Sequence, residues 1–269
     1  MKQKNRRITP GKIYMTLILA FFYLPIVYTV VFSFNSTKSL THFKGFSLKW
    51  YEKMFASSSM MDSIITTFVI AILATVISTV LGTIAAIGMS RSGRRLRAYV
   101  TQVNDLPMMN PEIVTAIGLL MFFATLKIEK GFVTMLLAHI MFCTPYVMLS
   151  ITPKLRSLDP NLMDAALDLG ATPWQALLRV VVPQLTPGIV SGALVAFTMS
   201  FDDFIISYFV TGNGVSNISI LVYTMSKRVN PSINAISSLV VLIITVVMIA
   251  INVIPIVRDK VIKRKEEVK

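Results

Sequence analysis

The chain is 269 residues long, 54% hydrophobic and only 14% charged, with a formal net charge of +13 and a mean hydropathy of +0.70. A soluble domain carries about 25% charged residues, so this surface is not built for water. The same composition, with Cys143 as the single cysteine, excludes a disordered chain, a collagen and a disulfide scaffold, and leaves an integral membrane protein.

Charge-free runs occupy 13–37, 63–90, 131–153, 180–201 and 229–257. Each exceeds the roughly 20 apolar residues that cross a hydrocarbon core. A sixth apolar stretch, 98–126, is interrupted by Asp105 and Glu112. The expected fold is an all-α polytopic membrane protein with six transmembrane helices in one domain, 1–269. Helices satisfy their own backbone amides in lipid. Of the 26 Lys and Arg residues, eighteen cluster at 2–12, 91–97, 154–179 and 258–269. With an even number of spans these clusters share one side, and the positive-inside rule makes it the cytoplasm, which places both termini there and the chain in the cell membrane. Read this way, the basic balance is a topology signal, and nucleic-acid binding is not expected.

In chain order, span 1 covers 13–34 with Pro25 inside it as a kink. Its apolar run is longer than the 7–15-residue core of a cleaved signal peptide, so a retained signal-anchor helix is expected. The segment 35–62 carries Phe43, Phe46, Trp50, Tyr51 and Phe55. It reads as an amphipathic helix on the membrane interface, with the stretch around Trp50 alternatively facing a substrate vestibule. Span 2, 64–90, is rich in small residues that permit close helix approach. Span 3 holds Pro107 and Pro111 beside its acids, and span 4, 131–152, carries His139, Cys143 and Tyr146. That stripe lacks a fourth metal ligand, so packing and helix–helix hydrogen bonds are expected of it and no metal site. Span 5 runs from about 187 to 209, the turn Gly212-Asn213-Gly214 follows, and span 6 covers 236–257.

Between spans 4 and 5 the cytoplasmic segment 153–187 reads as two short helices. Asp159-Pro160 and Thr172-Pro173 signal helix starts, Gly170 a terminator between them, and Pro183 the end of the second. The segment contains Asp164-Ala165-Ala166, three residues, Gly170, nine residues, then Val180-Val181-Val182-Pro183. This resembles the EAA signature of ABC importer permeases, which is Glu-Ala-Ala, three residues, Gly, nine residues and Ile-x-Leu-Pro, with Asp for Glu and Val for Ile and Leu. Lys49-Trp50-Tyr51, Asn110 to Val114, Ser200 to Asp203 and Phe209 to Gly212 are similar to the C-type permease subunits of spermidine/putrescine importers. Glu112 stands where that family would have Asp.

The resemblance implies a type I ABC importer permease architecture, in which 159–183 docks an ATP-hydrolysing partner through Asp164, Ala165, Ala166 and Gly170. It also implies two such ATPase subunits, which bind ATP and Mg²⁺, a second homologous permease subunit, and an extracytoplasmic polyamine-binding protein. The chain lacks the Gly-x-x-x-x-Gly-Lys-Ser/Thr loop that cradles nucleotide phosphates, so no cofactor and no catalytic residue are expected on it.

Four acids fall within spans: Asp105, Glu112, Asp202 and Asp203. An ionised Asp at a helix centre costs about 2.5–3.5 kcal/mol on insertion scales, so such acids face a cavity or a partner. Counted along continuous helices, Glu112 and Asp202 both lie about 22 Å above the cytoplasmic ends of their spans, and Asp105 about 12 Å. Separated carboxylates without protein counter-ions suit a polycation. The expected substrate pathway is therefore Glu112 with one or both of Asp202 and Asp203, and Trp50 at its mouth. Adjacent helix positions point about 100° apart, so one of the two aspartates is expected to be structural. A permease for another cation or small solute, or a membrane-embedded enzyme using Asp202 and Asp203, are the alternatives.

Overall fold

A computed structural model describes residues 10–212, 214–227, 230–246 and 249. In order the helices are α1 (Pro10–Ser33), α2 (Lys49–Ala56), α3 (Ser58–Ser90), α4 (Arg94–Met109), α5 (Glu112–Thr125), α6 (Phe132–Arg156), α7 (Leu162–Asp168), α8 (Pro173–Ala176), α9 (Val182–Asp202), α10 (Ile205–Val210), α11 (Ile218–Ser226) and α12 (Ser232–Val246). Among the described residues, α1, α3, α6 and the run Pro173–Asp202 are long and apolar enough to cross a membrane. The α4–α5 pair makes a fifth if counted as one bent span. The expected sixth span is helical over Ser232–Val246, and most of its remainder lies outside the described residues, as do the basic tail and most of the basic N-terminal cluster.

The helices cluster into two compact units, Met1–Met61 with Val222–Lys269, and Asp62–Leu221. In the first unit the segment after α1 is a small folded knot, tied by Asn35. Its side-chain amide donates to the carbonyls of Ser39 (2.8 Å) and His42 (2.9 Å), and its Oδ1 accepts from the Lys44 amide (3.0 Å). Trp50, on α2, donates its indole N–H to the Asn35 carbonyl at 2.7 Å and is 2% exposed. The ring is thus enclosed within the knot and offers no face to a vestibule. A buried indole needs an acceptor for its N–H, and Asn35 supplies one inside the knot.

In the second unit α6 is the central helix and packs along α9. Glycines permit the approach. Val147 on α6 is fully buried between Gly82 of α3 and Gly192 of α9, where added Cβ atoms would lie 2.7 and 3.2 Å from its Cγ1. Small residues at crossings let backbones come close enough for dispersion to hold helices together in lipid. Gly212 makes a tighter approach still, with an added Cβ only 1.9 Å from the Lys130 carbonyl oxygen. Gly212→Ala should therefore cost about 1–3 kcal/mol of stability, as overpacking does. Gly118→Ala, inside α5 with open space around it, should stabilise by up to about 1 kcal/mol through helix propensity. Thermal melting of the detergent-solubilised protein compares the two.

Two expected spans are broken. The third bends by 108° between α4 and α5, because Asn110 precedes Pro111 and is held extended (ψ 145°), as pre-proline sterics require. The fifth stops at Asp202. The backbone leaves the helical path at Asp203 (ψ 128°), and α10 restarts at Ile205.

Candidate substrate pathway and coupling segment

The segment between α6 and α9 begins with an Asx turn, not with a helix at Pro160. Asp159 Oδ1 accepts from the Asn161 amide at 2.9 Å, and α7 starts two residues later than the proline signal predicted. Its end matches the expectation. Gly170 takes φ +85°, its amide donates to the Leu167 carbonyl (2.9 Å), and the Ala171 amide donates to the Ala166 carbonyl (3.1 Å). These two bonds are the paired closures of a Schellman motif, which favours glycine at that position. Thr172 and Gln175 then form a reciprocal capping box on α8.

Pro183 does not end the second helix. The missing proline amide and its ring are accommodated by a turn of π-helix, Leu177–Val181, and the helix continues into α9. Ala166 is buried, whereas Asp164, Ala165, Asp168 and Gly170 are exposed. The most exposed large apolar side chains of the segment, which the motif reading missed, are Leu169 at 90% exposure and Trp174 at 67%. Trp174 follows the Pro173 cap signal directly and was open to notice as an aromatic on a polar turn.

The structure separates the four intramembrane acids. Asp203 is buried and fully engaged. Its Oδ1 accepts from the Ile206 amide (3.2 Å), and its Oδ2 accepts from the Ser207 amide and hydroxyl (both 2.7 Å), which caps the start of α10. His139 Nε2 lies 3.5 Å from the same carboxylate. Both oxygens of Asp203 are thus engaged within the fold. Asp202, one residue earlier, is exposed at the last position of α9, and among the described residues its carboxylate accepts no hydrogen bond from another residue. A carboxylate at a helix C-terminus adds to the negative end of the helix dipole, so this corner of the molecule is suited to a cation.

Glu112 is the first residue of α5, exposed beside the Pro111 break. The depth of 22 Å counted for Glu112 assumed a straight span, and the 108° bend, which falls between Asp105 and Glu112, removes that count. Asp105 instead lines a cavity of about 540 Å³ between the ends of α3 and α6, α4 and the start of the coupling segment, together with Arg91, Arg97 and Arg156. Neither Glu112 nor Asp202 borders it. Among the described residues no lysine or arginine pairs with any of the four acids.

The expected stripe on α6 is a buried contact line. His139 bridges Ser200 and Ser207, the Cys143 thiol donates to the Ala196 carbonyl at 3.5 Å, and Tyr146 meets Phe142 edge-on.

Comparison with known proteins places this geometry. The putrescine transport system permease protein PotI of Escherichia coli (strain K12) is 36% identical over 241 residues, 86% of each chain. The spermidine/putrescine transport system permease protein PotC of the same organism is 33% identical over 248 residues, 92% of this chain and 93% of that one. A chain of a bacterial ABC transporter involved in import of the acidic polysaccharide alginate shares the fold, with a TM-score of 0.74 at 15% identity over 96% of this chain and 98% of that one. A chain of the MetNI methionine ABC transporter does so with a TM-score of 0.60 at 19% identity, over 76% of this chain and 98% of that one. Residues 78–267 match the model for binding-protein-dependent transport system inner membrane components. With its membrane-spanning helices, broken spans and the capped segment between α6 and α9, the chain is a multi-pass membrane transport subunit of the ABC importer permease fold and belongs to that family of inner membrane components.

Proposed function

We propose that this chain forms half of the membrane pathway of a polyamine importer, moving putrescine or spermidine into the cytoplasm. The observation that carries the reading is the exposed Asp202 carboxylate at the C-terminal end of α9, beside a break in the span and, among the described residues, with no lysine or arginine paired to it. Broken helices whose carbonyl ends face a cavity are a recurrent way of holding cations at membrane depth. Glu112, at the other break, supplies a second carboxylate. A flexible diamine or triamine places its ammonium groups on the two acids in turn, so the cost of holding the acids is offset when substrate is present. The names of the relatives at 36% and 33% identity, both polyamine permeases, support the same substrate class.

In this reading the chain is a single permease domain with six spans and both termini in the cytoplasm. Two ATPase subunits that bind ATP and Mg²⁺ dock on 159–183, a second homologous permease subunit completes the pore, and an extracytoplasmic polyamine-binding protein delivers the substrate.

The test is uptake of labelled putrescine and spermidine into cells that lack this chain and any other polyamine importer. Restoring the chain with its partner subunits should return ATP-dependent uptake, and competition between the labels ranks the substrates. Uptake indifferent to the chain overturns the polyamine assignment.

A further inference from the structure

Around the break in the fifth span lies a buried polar cluster that the transport reading has not used. His139, on α6, is 2% exposed. Its Nδ1 is 2.6 Å from Ser200 Oγ on α9, before the break, and its Nε2 is 2.9 Å from Ser207 Oγ on α10, after it. Hydrogen-bond accounting fixes the proton. The Ser207 hydroxyl donates to Asp203 Oδ2 and accepts from the Asn217 amide at 2.9 Å. It therefore has only acceptor capacity left, and His139 Nε2 must donate to it. Nδ1 is then free to accept from the Ser200 hydroxyl. Asn217 also donates to the Asp203 carbonyl at 3.1 Å, which closes the cluster.

One imidazole thus holds both sides of the non-helical joint Asp203-Phe204. The joint has left the regular helical ladder, so its geometry depends on side chains. Asp202 is the residue immediately before it and lies between the two points of attachment.

We propose that His139 is a positioning residue for Asp202: by clasping Ser200 and Ser207 it sets where the exposed carboxylate stands, and with it the affinity of the pathway for a cationic substrate. This rests on the reading of Asp202 as a pathway acid. A ring that fits two hydroxyls 2.6 and 2.9 Å away can be replaced by glutamine, which has one donor and one acceptor, but not by leucine, which has neither.

The experiment uses the full transporter in cells with two readouts. In the first, Asp202→Cys is labelled with a membrane-impermeant thiol reagent, with the fully buried Cys143 as silent background. His139→Leu should change the labelling rate about ten-fold, and His139→Gln should bring it back toward that of the parent. In the second, putrescine uptake by chains retaining Asp202 should show KM raised about ten-fold by His139→Leu, the scale expected when a positioned group moves by an ångström or less. His139→Gln should restore it, with recovery of the assembled complex unchanged. If His139→Leu fails to assemble, Ser200→Ala removes one side of the clasp and is held to the same two shifts.

Unchanged labelling in the leucine and serine variants overturns the positioning role. A fall in maximal uptake at unchanged KM, not restored by glutamine, also overturns it and leaves a purely structural histidine. Failure of the underlying reading looks different: Asp202→Asn would then transport like the parent, whatever the labelling result, and the proposal falls with it.

Discussion

Replacing Leu169 and Trp174 together by glutamate is expected to abolish ATP-dependent uptake while the membrane helices stay folded. The two side chains stand 90% and 67% exposed on a segment whose every turn is closed: an Asx turn at Asp159, the Schellman closure at Gly170 and the capping box at Thr172. A rigid element with exposed apolar knobs on the face proposed for ATPase docking has the anatomy of an interface hot spot, where an aromatic anchor contributes about 2–4 kcal/mol. Losing one such anchor weakens docking about thirty-fold to a thousand-fold. Neither residue packs in the core, so melting of the isolated chain should be unaffected. Co-purification of the ATPase subunit with the double variant measures the effect. A variant that retains its ATPase and its uptake would place the docking surface elsewhere.

Asparagine at Asp202 and at Asp203 should give opposite phenotypes although the residues are neighbours. Asp203→Asn removes charge from a buried cap that accepts three hydrogen bonds, at a cost of about 3 kcal/mol. The melting temperature and the yield of the complex should both fall. Asp202→Asn relieves an anion at the wrong end of a helix, a gain of about 0.3–1 kcal/mol, so stability should hold or rise while uptake fails. Loss of one charge-assisted contact to a substrate ammonium lowers Vmax/KM by about thirty-fold or more, and Glu112→Gln should match it. Labelled putrescine uptake alongside melting of the purified complex separates the cases. Uptake preserved in both Asp202→Asn and Glu112→Gln would remove the acids from the pathway.

The outline of this molecule was legible where periodicity and spacing are local. Charge-free runs give the long helices, and Gly170 and Thr172 give the turn chemistry of the coupling segment, because a positive φ and a capping box need particular residues at particular places. The expectation that one of Asp202 and Asp203 is structural followed from the 100° between adjacent helix positions. Which one could not be read, since Asp203 is fixed by His139 and Asn217, 64 residues before it and 14 after it. The burial of Trp50 was hidden for a similar reason. Aromatics near a span usually sit at the interface, and only the fold brings the Asn35 carbonyl to its N–H. The depth count for Glu112 failed because it ran along one continuous helix, whereas with Asn110 extended before Pro111 the chain turns through 108°. Pro183 was read as a stop because the rule for proline assumes an α-helix on both sides, and a π turn lifts that assumption.

That π turn has a mechanical consequence. Because the helix does not stop at Pro183, the run Pro173–Asp202 is one rod of 30 residues, about 45 Å long, and a tilt of about 10° around its middle swings each end by ~4 Å. One end carries the apolar knob Trp174 and the other the exposed Asp202 carboxylate. A lever of this kind has no preferred direction. In the proposed importer, whatever free energy an ATPase partner exerts on the Trp174 arm by favouring one tilt, a cation held at the far arm would exert in return, so the two occupancies would alter each other's affinity by the same factor.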